Sequence, residues 1–272
     1  MGQSQHDLCK LCRHTKTLVC SHFMPASLYG YCRQGTFDPV RVGRGVVYPT
    51  SRQTTDYLFC TDCEDVFNKG GESWMCPLFA TMERVFPFYQ LLTQTAPDYA
   101  EGDFSVYCAA QNPAIKVDKI LHFAMGLFWK ASVDSWRPNV IEPQIELGPY
   151  GEATRKYLLG GPFPAHMYLT VIVSPPGREQ IVMTQPYQTS RMQRHTFCMH
   201  LPGVLFLLDV GKLVNPDEQA LSISWSSARP IVVSNEITSK MERNFYTQFV
   251  KCRKTAAYLR QRAKHRRRGP QD

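Results

Sequence analysis

Two rhythms of apolar residues divide the chain. Over residues 115–134, Ile115, Ile120, Leu121, Phe123, Ala124, Leu127, Phe128 and Ala131 recur at helical spacing over a broad face, which predicts a central, buried helix. A shorter helix is expected over 150–159, stopped by Gly160-Gly161. Residues 72–93 carry Trp74, Leu78, Met82 and Val85 at helical spacing, interrupted by Pro87. From 166 onward the rhythm shortens. Strands are expected at 166–173, 180–184, 196–201, 204–209, 221–225 and 231–233, with a hairpin turn at Pro202-Gly203. They imply an antiparallel sheet. The last expected element is a helix over 236–265 with an apolar stripe of Met241, Phe245, Phe249, Cys252, Ala256 and Leu259. Residues 33–57, rich in Gly and Pro, are expected to be poor in regular structure, and a short helix is expected after Pro25. The fold class is therefore α+β.

Length and charge narrow the picture. At 272 residues the chain can bury a substantial core in one or two domains. Its formal net charge of +8 is local: residues 251–272 hold nine Lys and Arg against one Asp, while the other 250 residues hold 22 basic and 22 acidic residues. A globally cationic protein is excluded. No apolar run approaches the ~18 residues of a membrane-spanning helix, and the first residues carry neither the apolar run of a secretory signal nor the myristoylation pattern. A cytoplasmic location, or a nuclear one in a eukaryote, is expected, with no membrane partner.

Ten cysteines in a chain of this size point to metal ligands rather than disulfide staples. Four form two matched pairs, Cys9-Lys-Leu-Cys12 and Cys60-Thr-Asp-Cys63, separated by 47 residues. A Cys-x-x-Cys turn aims two sulfurs at one point, and two such turns complete a tetrathiolate zinc site. Most of Cys20, Cys32, Cys76, Cys108, Cys198 and Cys252 read as small buried apolar residues. No Gly-x-Ser-x-Gly, P-loop or Gly-x-Gly-x-x-Gly is present. His195 and His200 around Cys198 are explained by strand alternation. Trp129 and Trp136 read as packing aromatics bordered by surface charges at Lys130 and Arg137.

Between the pairs lies Cys20-Ser21-His22-Phe23-Met24-Pro25, and the second pair continues into Glu64, Phe67 and Glu72. Over residues 9–75 this order resembles the HNH endonuclease superfamily, in the branch with Cys-x-x-Cys, Ser-His-x-x-Pro and Cys-x-x-Cys-Glu. The resemblance implies an N-terminal treble-clef zinc finger in which structural Zn²⁺ sits on Cys9, Cys12, Cys60 and Cys63. His22 would be the general base, and Glu64, with Asp56 or Glu72, would hold a catalytic Mg²⁺ or Mn²⁺. Three positions depart from the family. Ser21 replaces an acid, Thr55 and Asp56 stand where an Asn is expected, and Glu64 replaces a His or Asn. Glu72 also reads as an early-helix acid complementing a helix dipole.

Arg33, Arg41, Arg44 and Arg52 between the pairs, and Lys264, Arg266, Arg267 and Arg268 at the end, are candidate phosphate contacts. The organisation expected is a zinc-finger domain over 1–95, an α+β domain over 96–250 and a basic helix end or tail over 251–272. The expected activity is metal-dependent hydrolysis of nucleic acid, DNA in preference to RNA. The alternative is a catalytically inactive zinc-stabilised module that binds nucleic acid or protein. A protein partner or self-association through the 96–250 region is compatible with either.

Overall fold

The computed structural model describes residues 5–31, 38–43, 45–81, 83, 85–133, 136, 145–176, 183–191 and 194–268. Strand β1 (Gln5–Leu8) is an exposed edge strand and β2 (Thr15–His22) follows it. After the short α1 (Leu28–Tyr31) come β3 (Val40–Gly43), β4 (Val46–Pro49) and β5 (Thr55–Cys60). The stretch expected to be poor in structure therefore carries three strands. β5 returns beside β2, antiparallel, giving a three-stranded sheet in the order β1-β2-β5. A register shift between Val19 and Cys20 bulges β2, and Cys20 is exposed rather than buried.

Helix α2 (Thr61–Phe67) begins directly after β5, with Asp62 and Glu64 in its first turn, where carboxylates complement the free N–H groups. It does not stop at Phe67. A π-helical stretch, Asn68–Glu72, carries helical backbone angles into α3 (Ser73–Met75). Glu72 is thus inside a continuous bent helix, not at the start of a new one. The π turn coincides with Gly70-Gly71 for a packing reason. A Cβ on Gly71 would lie 2.6 Å from the Lys119 carbonyl oxygen and 2.7 Å from the Phe123 nitrogen, so only glycine admits the crossing backbone there.

The crossing element comes later in the chain. Past α4 (Pro87–Leu92), β6 (Tyr99–Glu101) and β7 (Phe104–Cys108) lies α5 (Val117–Ser132), the expected central helix. It is buried without interruption from Phe123 to Ala131. Next come α6 (Tyr150–Leu158), β8 (Met167–Val173), β9 (Tyr187–Arg191), β10 (Arg194–Leu201) and β11 (Val204–Val210). Then follow α7 (Pro216–Ala220) and β12 (Pro230–Val233). The seven-stranded sheet runs β6-β7-β12-β8-β11-β10-β9. It is mixed rather than wholly antiparallel, because β12 lies parallel to β8, with Val232 opposite Ile172. All seven residues of β8 are buried, as in a strand covered on both faces. Phe123 of α5 meets Phe206 of β11 at 6.2 Å between ring centroids.

Some expected strands differ. Residues 221–225 form turns, not a strand. Ser222 and Ser224 donate to the Leu169 and Met167 carbonyls, so hydroxyls replace part of a backbone ladder beside β8. β6, β7 and β9 lacked a clear alternation in sequence. Most of 180–184 lies outside the described residues. The final helix is two: α8 (Asn235–Lys251) and α9 (Ala256–Arg268), separated by β13 (Arg253–Lys254). β13 pairs in parallel with β4, so the third sheet is β13-β4-β3 and joins Arg253 and Lys254 to Val46 and Val47.

The protein is α+β, 36% helical and 28% strand. One cluster of buried side chains runs from Cys9 and Leu11 through Phe67 and Phe128 to Phe206 and Ile231, across residue 95. Among the described residues no helix is long and apolar enough to cross a membrane.

Candidate metal centre

The first cysteine pair is shaped by a tight turn. Arg13 N donates to the Cys9 carbonyl (2.8 Å) and Cys9 N to the His14 carbonyl (2.9 Å), with Arg13 in the left-handed region at φ 61°. Lys10 N donates to the Leu58 carbonyl (3.0 Å), which fastens the turn to β5. The second pair lies at the β5–α2 junction, where Cys60 is the residue preceding the helix and Cys63 lies in its first turn. Cys60 N donates to Cys9 Sγ at 3.4 Å. All four sulfurs lie within 4.8 Å of one another. A zinc tetrahedron with bonds of about 2.3 Å requires sulfurs about 3.8 Å apart, so the cluster fits the ion with small adjustments.

The electrostatics agree with that use. The Cys63 thiol, hydrogen-bonded to Cys9, lowers the Cys9 pKa to about 4 against the opposing effect of burial, and the backbone N–H groups of Cys12, Cys60 and Leu11 assist. The same hydrogen bond, followed by burial, pushes Cys63 up, while burial is the main cause raising Cys60. Cys9, Cys60 and Cys63 are buried and Cys12 is half-buried; a divalent cation is the simplest counter-charge for four such thiolates. The turn is also tied to the rest of the protein. Arg155 of α6 donates to the Leu11 carbonyl (2.6 Å), and Glu152 pairs with both Arg155 (2.9 Å) and Arg13 (2.5 Å).

The other candidate residues sit on the same hairpin and helix. His22 is the half-buried last residue of β2, opposite Thr55. Buried Ser21 faces Asp56, whose Oδ1 accepts from Tyr57 N at 2.8 Å. Glu64 follows Cys63, and its Oε1 is buried with no hydrogen-bond partner among the described residues. Glu72 is not a helix-start acid. Its Oε1 accepts from Lys130 Nζ at 3.0 Å, and the same ammonium lies 3.4 Å from the His22 carbonyl oxygen.

Lys130 is the residue that sequence reasoning missed. It reads as a surface charge bordering Trp129, yet it is 1% exposed, with Nζ 4.1 Å from the centroid of the Phe67 ring. A lysine is held in such a place only when paired. The available signal was its position at the end of the unbroken apolar run Leu127-Phe128-Trp129. Nearby, burial pushes the Cys76 thiol up to about 11 although a hydrogen bond with Ser27 opposes the shift.

Of the candidate phosphate contacts, Arg33 and Arg44 lie outside the described residues. Arg41 is half-buried in β3, Arg52 is exposed in the loop between β4 and β5, and Lys264 is exposed on α9. Arg266, Arg267 and Arg268 close that helix, their side chains outside the described set. Among the described residues, the four cysteines are the one group of three or more His, Cys, Asp or Glu gathered closely enough to hold a metal ion. The fold and this cluster define an α+β protein with a site that can bind zinc. Comparison of the chain with protein-family models, with curated proteins and with solved structures gives no match.

Proposed function

We propose that residues 5–75 form a treble-clef-like zinc unit that hydrolyses phosphodiester bonds in nucleic acid. The observation that carries this reading is Glu64. Among the described residues it leaves a buried carboxylate oxygen unpartnered immediately after the second cysteine pair, on the same hairpin-and-helix unit whose strand ends at His22. A buried acceptor without a donor is costly, and a cation is one way to satisfy it. Glu64, with Asp56, would supply oxygen ligands to Mg²⁺ or Mn²⁺. When bound, such an ion polarises a phosphate and stabilises its leaving oxygen. His22 takes a proton from water as the water oxygen bonds to phosphorus. The phosphorus–oxygen ester bond then breaks, and the departing oxygen is protonated from solvent. Glu72 is bound to Lys130 and is better read as holding the framework.

A second reading keeps the zinc and drops the chemistry, leaving a module that binds nucleic acid or protein. It is favoured by the Lys130–Glu72 pair, which takes one candidate ligand away, and by the lack of a second metal-ligand group among the described residues. One experiment separates the two. Zinc-loaded protein with added Mg²⁺ or Mn²⁺ should cleave DNA or RNA, and His22→Ala should lower the rate by at least about 100-fold with zinc content unchanged. Cleavage that persists in His22→Ala overturns the mechanism. No cleavage by the zinc-loaded wild type favours the binding module instead.

A further inference from the structure

The basic segment at the end of the chain is held in place rather than hanging free. Arg253 N donates to the Gly45 carbonyl (2.7 Å) and Thr255 N to the Val47 carbonyl (3.0 Å), so β13 is stitched to β4. Lys254 is spent on structure: its Nζ donates to the Phe249, Val250 and Cys252 carbonyls at 2.6–2.7 Å and caps the end of α8. Tyr258 packs edge-on against Phe249 at 5.9 Å, and Gln261 Nε2 donates to the Asp38 carbonyl at 2.9 Å. These contacts fix one side of α9 against the insertion between the two cysteine pairs.

The rest of α9 is open and sorted by position. Ala256, Leu259, Arg260, Arg262, Ala263 and Lys264 are all exposed, whereas Tyr258 and Gln261 are half-buried. At about 100° per residue, Arg260 and Lys264 share one flank and Arg262 lies about 200° round from Arg260. Tyr258 and Gln261 mark the side facing the protein. The side facing away holds Ala256, Leu259 and Ala263. The helix thus presents small or apolar residues outward, with a cationic flank on each side. It contains six Lys and Arg and no acid.

We propose that α9 lies in the major groove of duplex DNA. Its 13 residues span about 20 Å, and a major groove about 12 Å wide admits a helix of this bulk. The two basic flanks then face the phosphates on the two sides of the groove, while Ala256, Leu259 and Ala263 approach its floor, where apolar side chains meet thymine methyl groups. The deep, narrow major groove of an RNA duplex does not accept a helix. A membrane surface is disfavoured because the outward side carries one large apolar residue, Leu259. This inference rests on the reading of nucleic acid as the protein's target, and it names the form of that target.

The test is fluorescence anisotropy of the full-length, zinc-loaded protein without added Mg²⁺ or Mn²⁺. The probes are a duplex DNA, an RNA duplex and a DNA single strand of equal length, and vesicles containing phosphatidylserine. Duplex DNA should bind at least tenfold more tightly than either other nucleic acid, and vesicles should bind negligibly. The triple change Arg260→Gln, Arg262→Gln, Lys264→Gln should weaken duplex binding at least tenfold and reduce the slope of log K against log salt by about three. Ala263→Gln adds no charge and sits at an exposed position, yet should weaken duplex binding several-fold while leaving single-strand binding unchanged. The proposal is overturned if the triple variant binds as wild type does, if Ala263→Gln has no effect on the duplex, or if RNA duplex, single strand or vesicles bind as tightly as duplex DNA. Because no bond is broken in this assay, its outcome is independent of the His22→Ala result.

Discussion

The two ends of one hairpin-and-helix unit solve the problem of buried polarity differently. At the β5–α2 junction, Cys9, Cys12, Cys60 and Cys63 gather four sulfurs within 4.8 Å, a cluster suited to a metal ion. At the other end, where β2 finishes, Lys130 reaches in from α5 to bind Glu72 and lies against the His22 carbonyl. The first end can take an ion from outside; the second brings its counter-charge from a helix 58 residues further along the chain. A third arrangement sits in the seven-stranded sheet. His200 is fully buried, its Nε2 has no partner among the described residues, and burial lowers its pKa to about 4. That group meets burial by staying neutral. Metal, ion pair and neutrality are three answers to the same desolvation cost, and they should fail under different conditions.

Removing the metal answer should have the largest effect. Cys60→Ser should reduce zinc from one ion per chain to none by elemental analysis. Stability should fall by up to the order of 10 kcal/mol in denaturant unfolding, the scale on which structural zinc supports small units. Retained zinc and unchanged stability would remove the contrast between the two ends. Breaking the ion pair comes next. Lys130→Ala should cost about 3–5 kcal/mol, since it leaves a cavity and a carboxylate without its partner. Lys130→Met, which keeps the volume, should cost clearly less because Glu72 is 21% exposed and can be solvated. Equal losses in the two variants would mean that charge pairing, not packing, holds that end.

The neutral answer predicts a pH dependence. An unfolded histidine takes up a proton below about pH 6.5, while buried His200 does so only near pH 4. The unfolded state therefore binds more protons between those values, and stability falls as pH drops from about 6.5 towards 4. The loss attributable to His200 is about 3 kcal/mol. His122, whose pKa burial also lowers, adds in the same direction. In His200→Leu, the slope of unfolding free energy against pH across this window should flatten, whatever the variant's absolute stability. An unchanged slope would assign the acid sensitivity elsewhere.

Much of the helical part was readable because its signals are local. The expected span 115–134 and the observed Val117–Ser132 describe the same helix, since its apolar face repeats at the helical period. The same holds for Tyr150–Leu158 before Gly160-Gly161. The sheet was less readable where strands are short or polar, as in Tyr99–Glu101, whose residues are all exposed. The continuous helix through Gly70-Gly71 was hidden because glycines ordinarily mark a break. Here they permit close approach of α5, a reason that belongs to the partner helix. Likewise, no local pattern announces that Arg253 and Lys254 leave the helical path to pair with Val46 and Val47.

The sequence by itself determined the four cysteines, because each Cys-x-x-Cys turn brings its own two sulfurs together and the apolar spacing supplies the framework around them. It also determined where the positive charge lies. Only the tertiary structure decided that Lys130 is buried against Glu72, that His200 is sealed in the sheet and that the basic end is fastened to β4. The reason is the range of the interactions. A cysteine pair closes over three residues, whereas burial and ion pairing at Lys130 depend on elements that meet only after the whole core has formed.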